Sequence, residues 1–227
     1  MKYVFGVDIG GTTVKIGLFD VEGNVLDKWE IPTRTENDGE KILPDVADSI
    51  REKMKQMDKD AIAGVGVGAP GPIDAGGVVH RAVNLGWKTF NVKETLEALI
   101  NLPVRAGNDA NVAALGEMWM GGGKGYKDLV VVTLGTGVGG GIIVDGRMIS
   151  GSTGAAGEIG HIHVDDTETD VCNCGNKGCL EQFASATGIT RLANKKLAST
   201  DMDSVLRGGE VSAKTVFDAV KARDPLA

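Results

Sequence analysis

Apolar residues come in short runs between glycine turns early in the chain. Later they recur at helical spacing. Tyr3–Asp8 reads as a strand, Gly10–Gly11–Thr12–Thr13 turns the chain, and Val14–Phe19 reads as a second strand. A turn at Glu22–Gly23–Asn24 leads to a third strand, Asn24–Ile31. From about Gly39 to Met57, Leu43, Val46, Ile50, Met54 and Met57 follow helical spacing, with Pro44 in the tolerant first turns. Ile62–Gly68 predicts a buried strand ended by Ala69–Pro70–Gly71–Pro72. Asn91 with Glu94 predicts a capping box, Val104–Gly107 a strand, and Asp109 to about Met120 a helix.

The opening theme then returns. Leu129–Leu134 is strand-like, Gly135–Thr136–Gly137–Val138–Gly139–Gly140–Gly141 turns, and Ile142–Val144 is strand-like again. Strand, glycine turn, strand thus occurs twice, the mark of an internal duplication and of two lobes. An irregular stretch, Gly151–Cys179, precedes helical patterns from about Leu180 to the end.

Charge and composition narrow the classes. A net charge of -7, with Lys and Arg scattered, offers no attraction to nucleic acid or anionic membrane. No apolar run approaches the roughly 20 residues of a membrane span, and the N-terminus lacks a signal-peptide pattern, so a cytoplasmic location is expected.

The glycine turns differ from a dinucleotide fingerprint, because a β-branched run rather than a helix follows each. Both predict glycine-tipped hairpins whose backbone N–H groups can cradle phosphate, with Thr12, Thr13 and Thr136 adding hydroxyls. Ordinary hairpin turns are the plain alternative. Asp8, at the end of the first strand, could hold Mg2+ through water or simply stabilise its turn. Asp109 follows a strand and opens a helix, which suits either an N-cap or a general base.

Cys172, Cys174 and Cys179 lie within eight residues, a spacing that suits metal rather than disulfides. Thiolates favour Zn2+, and structural zinc takes four ligands, so His161 or His163 is a candidate for the fourth. Three reduced thiols without metal are the alternative.

Asp8–Lys15 and Leu134–Gly141 resemble the two phosphate motifs of the ROK family, sugar kinases and related repressors of the actin/hexokinase superfamily. Gly66–Pro72, Asn84–Trp87, Asn108–Asn111, Gly157–His161 and Cys172–Glu181 match in the family's order. The resemblance implies an α/β, actin-like ATPase (hexokinase/ribonuclease H-like) fold. Its lobes would cover residues 1–106 and 107–227, with duplicated β-hairpin phosphate loops. It implies ATP held by Asp8, Gly10, Gly11, Thr12, Thr13 and Lys15 together with Gly135, Thr136 and Gly137. Asp109 would be the general base, and Asn84, Asn108, Asp109, Glu158, His161 and Glu181 would bind sugar. His161, Cys172, Cys174 and Cys179 would hold structural zinc.

The implied activity is phosphorylation of a hexose at its 6-hydroxyl, with glucose the leading substrate. N-acetylmannosamine, N-acetylglucosamine, fructose and allose are alternatives, as is a non-catalytic sugar sensor. A repressor's helix-turn-helix would precede the first motif, which begins by residue 8, so that module is not expected. Family members are usually longer and carry a further glycine-rich segment near the adenine, so weak ATP binding is expected of a 227-residue form. Dimers or tetramers are expected from the family.

Overall fold

The computed structural model describes residues 2–227. The opening hairpins form where the short apolar runs and their turns predict. β1 (Tyr3–Ile9), β2 (Thr13–Asp20) and β3 (Val25–Pro32) are antiparallel, with Asp8 opposite Lys15. Phe5, Val7 and Ile9 of β1 and Val14, Ile16 and Leu18 of β2 are buried. β4 (Ile62–Ala69) and β7 (Val104–Asn108) add in parallel, giving the order β3-β2-β1-β4-β7.

Helices cover this core. A single distorted turn, α1 (Glu36–Gly39), precedes α2 (Ile42–Met54). The expected start near Gly39 moves to Ile42 because Asn37, Asp38 and Gly39 have φ of 53°, 58° and 68°, which no right-handed helix can contain. Leu43, Val46, Ala47, Ile50 and Met54 of α2 are buried. After the short pair β5 (Val78–Val79) and β6 (Phe90–Asn91), α3 (Val92–Ile100) buries Val92, Leu96 and Ile100 in the same cluster. Asn91 caps α3 by accepting from the Glu94 N–H at 3.0 Å. The reciprocal capping box closes instead at Ser212 and Thr215. α4 (Asp109–Met120) follows β7 directly.

β8 (Leu129–Leu134), β9 (Val138–Val144) and β10 (Arg147–Met148) form a sheet ordered β10-β9-β8. The rest is irregular apart from α5 (Glu181–Ala184), α6 (Ala186–Ser199) and α7 (Ala213–Lys221). Residues 200–212 interrupt the helical run expected after Leu180.

The chain forms two compact units. The first ends at Val131 and regains Gly141–Gly157, while the second is Val132–Gly140 with Glu158–Ala227. The division expected between 106 and 107 falls within β7. Those residues sit inside β7, which is bonded to β4 from Val104 to Asn108, so Asp109 belongs to the first unit. The second unit has a small core, Leu206, Val216, Ala219 and Leu226.

Candidate active site and metal centre

In the first unit, β7 delivers Asn108 and Asp109 to the start of α4. Asn108, not Asp109, is the N-cap. Its side-chain oxygen accepts from the Asn111 N–H at 3.1 Å, and its amide donates to the Gly71 carbonyl at 3.2 Å. Such a cap contributes about 1 kcal/mol. Asn108 is buried. Gly71, at φ 89°, is the part of the Gly66–Pro72 motif that receives it.

Relieved of capping, Asp109 accepts from the Ala110 N–H at 2.8 Å. Its side chain reaches solvent, yet the protein packed around it disfavours the charged form, and the negative Asp8 adds to this. Together they raise its pKa above the usual aspartate value.

The first glycine turn closes when the Gly10 N–H donates to the Thr13 carbonyl at 3.0 Å. A Cβ on Gly10 would sit 2.9 Å from that carbonyl oxygen. The residue after β3 reaches back to the turn: the Thr33 hydroxyl donates to the Gly10 carbonyl at 2.7 Å, and the Thr33 N–H to the Thr12 carbonyl at 2.9 Å. Gly11 and Thr12 are exposed, and Asn84 lies beside Gly11, whose Cβ would be 3.9 Å from that of Asn84. Asp8 and Lys15 are exposed on facing strands.

The second glycine turn belongs to the second unit. The Gly135 N–H donates to the Gly137 carbonyl at 3.0 Å. The start of α6 holds it: the Ala186 N–H donates to the Gly135 carbonyl at 2.9 Å and the Thr187 hydroxyl to the Thr136 carbonyl at 2.7 Å. Glu181 accepts from the Val138 N–H at 2.9 Å. The Glu181 carboxylate occupies the space where a Gly137 side chain would begin. Ser185, fully buried, caps α6 through the Gly188 N–H at 2.9 Å and donates to the Glu181 carbonyl at 2.7 Å.

The same unit gathers His161, Cys172, Cys174 and Cys179, whose ligand atoms all lie within 4.8 Å of one another. Cys174 Sγ is 3.6 Å from Cys179 Sγ, and Cys172 Sγ is 3.7 Å from His161 Nδ1. Tetrahedral bonds of about 2.3 Å put ligands about 3.8 Å apart, so the donor set fits a structural zinc ion. On the other side of the ring, His161 Nε2 is 3.9 Å from the Glu158 carboxylate. His163 stands outside the cluster. Asp166 at 2.8 Å and the Lys177 carbonyl at 2.9 Å engage its two nitrogens, and Asp166 foremost raises its pKa.

Several residues around the cluster were not evident from sequence. Buried Gln182 accepts from the Cys179 N–H at 3.0 Å and donates to the Asp170 carbonyl at 3.0 Å. Arg191 binds Glu168 at 2.7 Å and Asp170 at 2.5 Å, and Lys195 joins both acids. Arg191 foremost holds Glu168 at a pKa of about 2. An acid pair ahead of a cysteine knuckle and an Arg one helix later was the available signal, though it has no fixed spacing.

The ROK family model matches residues 4–227. This chain belongs to the ROK family. As a ROK protein it is 44% identical to a glucokinase of Halalkalibacterium halodurans, over 100% of this chain and 71% of that protein. It is 36% identical to a xylose repressor of Caldicellulosiruptor bescii, over 85% of this chain and 49% of that one. A crystal structure of a ROK family glucokinase from Streptomyces griseus, in complex with glucose and AMPPNP, superposes with a TM-score of 0.79 at 34% identity. It covers 99% of this chain and 72% of that one. The α/β architecture is accordingly that of the ROK sugar kinases, consistent with the actin-like ATPase fold. No helix among the described residues is long and apolar enough to cross a membrane.

Proposed function

We propose that this chain is an ATP-dependent hexose kinase that phosphorylates glucose at its 6-hydroxyl. One observation carries the assignment of the base: Asn108 caps α4, so the adjacent Asp109 carboxylate is released for chemistry. Its raised pKa suits a general base, because a more basic carboxylate takes the sugar proton more readily as the γ-phosphoryl group transfers. The two glycine turns present backbone N–H groups to the ATP phosphates, and Asp8 would hold Mg2+ through water. Asn84, Asn108, Glu158, His161 and Glu181 supply the polar groups that sugar hydroxyls require.

Zinc, held by His161, Cys172, Cys174 and Cys179, is structural, because four protein ligands leave no open position. It fixes the His161 ring and, through Cys179, the start of α5, where Glu181 lies. A coupled ADP-release assay over glucose, N-acetylmannosamine, N-acetylglucosamine, fructose and allose tests the reading. Glucose should give the highest kcat/KM, and Asp109→Asn should lose turnover. Preference for an N-acetyl sugar would displace glucose, and binding without turnover would make the chain a sensor.

A further inference from the structure

The two glycine turns share a device that their motifs do not reveal. In each, two successive or near-successive carbonyls are engaged from outside the turn by one threonine hydroxyl and one backbone N–H. Thr33 supplies both for the first turn, holding Gly10 at 2.7 Å and Thr12 at 2.9 Å. Thr187 and Ala186 supply them for the second, holding Thr136 at 2.7 Å and Gly135 at 2.9 Å. We propose that Thr33 and Thr187 are positioning residues, each aiming the N–H groups of one glycine turn at ATP phosphate by holding the turn's carbonyls away.

The physics is that of the peptide plane. In a trans peptide the C=O of one residue and the N–H of the next point in opposite directions. No cis peptide occurs among the described residues. Fixing the Gly10 carbonyl on Thr33 therefore directs the Gly11 N–H to the opposite side. Fixing the Gly135 and Thr136 carbonyls on α6 does the same for the Thr136 and Gly137 N–H groups. Glycine turns are otherwise free to flip these planes, which would present a partly negative carbonyl oxygen to an anion. The clamp thus removes a repulsive state as well as selecting an attractive one. In the second turn, the Glu181 carboxylate takes up the next N–H, that of Val138, and so bounds the cradle.

This inference rests on the reading that both turns hold ATP phosphates, and the test separates the two. Thr187→Val keeps the shape and removes the donor, and the exposed position tolerates the methyl. The ATP KM should rise about tenfold, the usual scale of one hydrogen bond, while the sugar KM moves less than about twofold. Thr187→Ser should restore the ATP KM, and Thr33→Val and Thr33→Ser should behave in parallel. Thermal melting verifies folding, and Thr187→Ala replaces the valine variant if that one does not fold. An unchanged ATP KM overturns the clamp, as do parallel rises for ATP and sugar, or a serine variant that restores nothing. If the wild-type chain phosphorylates no sugar, the kinase reading fails instead. Equilibrium dialysis with AMPPNP then judges the clamp: weaker binding by Thr187→Val supports it, and equal binding overturns it.

Discussion

The two glycine turns look alike in sequence but depend on different amounts of structure. The first is tied to Thr33, 23 residues from Gly10 and just past β3, the strand next to its own hairpin. The second is tied to Thr187, 51 residues from Thr136, across irregular chain and the cysteine cluster. Strand register in a large core suffices for the first. The second requires its whole unit to be folded, and that unit has only a small apolar core. A small core of this kind ordinarily needs a staple such as a metal. The same local motif can therefore be robust in one place and conditional in another.

The largest expected effect places the chemistry in the first unit. Asp109→Asn should lower kcat by roughly 10²–10⁴-fold, the usual worth of a general base. Because the folded pKa of Asp109 is raised, its charge opposes folding once pH exceeds the unfolded value near 3.8. The variant should therefore melt no lower than the parent at neutral pH. A comparable kcat loss from a substitution in the second turn would break the division of labour.

Cys174→Ser should come next, releasing zinc on metal analysis and destabilising the second unit by on the order of 4 kcal/mol. Hydrogen exchange should then accelerate in α5, α6 and the second turn while β1–β4 stay protected. A full zinc equivalent retained by the variant would contradict the ligand set.

Within the second turn, Gly137→Ala should cost about 1–3 kcal/mol, because the new methyl displaces Glu181 and leaves the Val138 N–H unpaired. Gly135→Ala meets nothing within 4 Å and should shift stability by less than about 0.5 kcal/mol. Equal melting points for the two variants would remove Glu181 from the account.

The smallest effect concerns acid. The depressed Glu168 pKa, about 2 against an ordinary 4.5, stabilises the fold above pH 4.5 and ceases to do so as pH falls towards 2. Denaturant unfolding of the second unit against pH should show this loss in the parent. In Glu168→Gln it should be flatter.

Much of the fold was legible because its signals are local. Short apolar runs between turns placed β1, β2 and β4 to within a residue or two, and the spacing of Leu43, Val46, Ile50 and Met54 placed α2. The cysteine cluster was legible from spacing, whereas choosing between His161 and His163 needed coordinates, since both precede the same knuckle. The cap at Asn108 was not separable from one at Asp109, because adjacent Asn and Asp serve equally as N-caps. How β7 joins its sheet was not legible, because it pairs with a strand some 40 residues earlier, and pairing partners leave no mark in a strand's own composition.

By itself the sequence determined where strands and helices form, that two glycine turns exist, and that three thiols sit within reach of one ion. These follow from side-chain period, backbone permissiveness and donor chemistry over a few residues. Only the tertiary structure decided that Asn108, and not Asp109, caps α4. It also decided which histidine met the cysteines, and that threonines far along the chain hold each turn's carbonyls. Those outcomes depend on which distant groups share a hydrogen bond, and that is settled by packing rather than by neighbours along the chain.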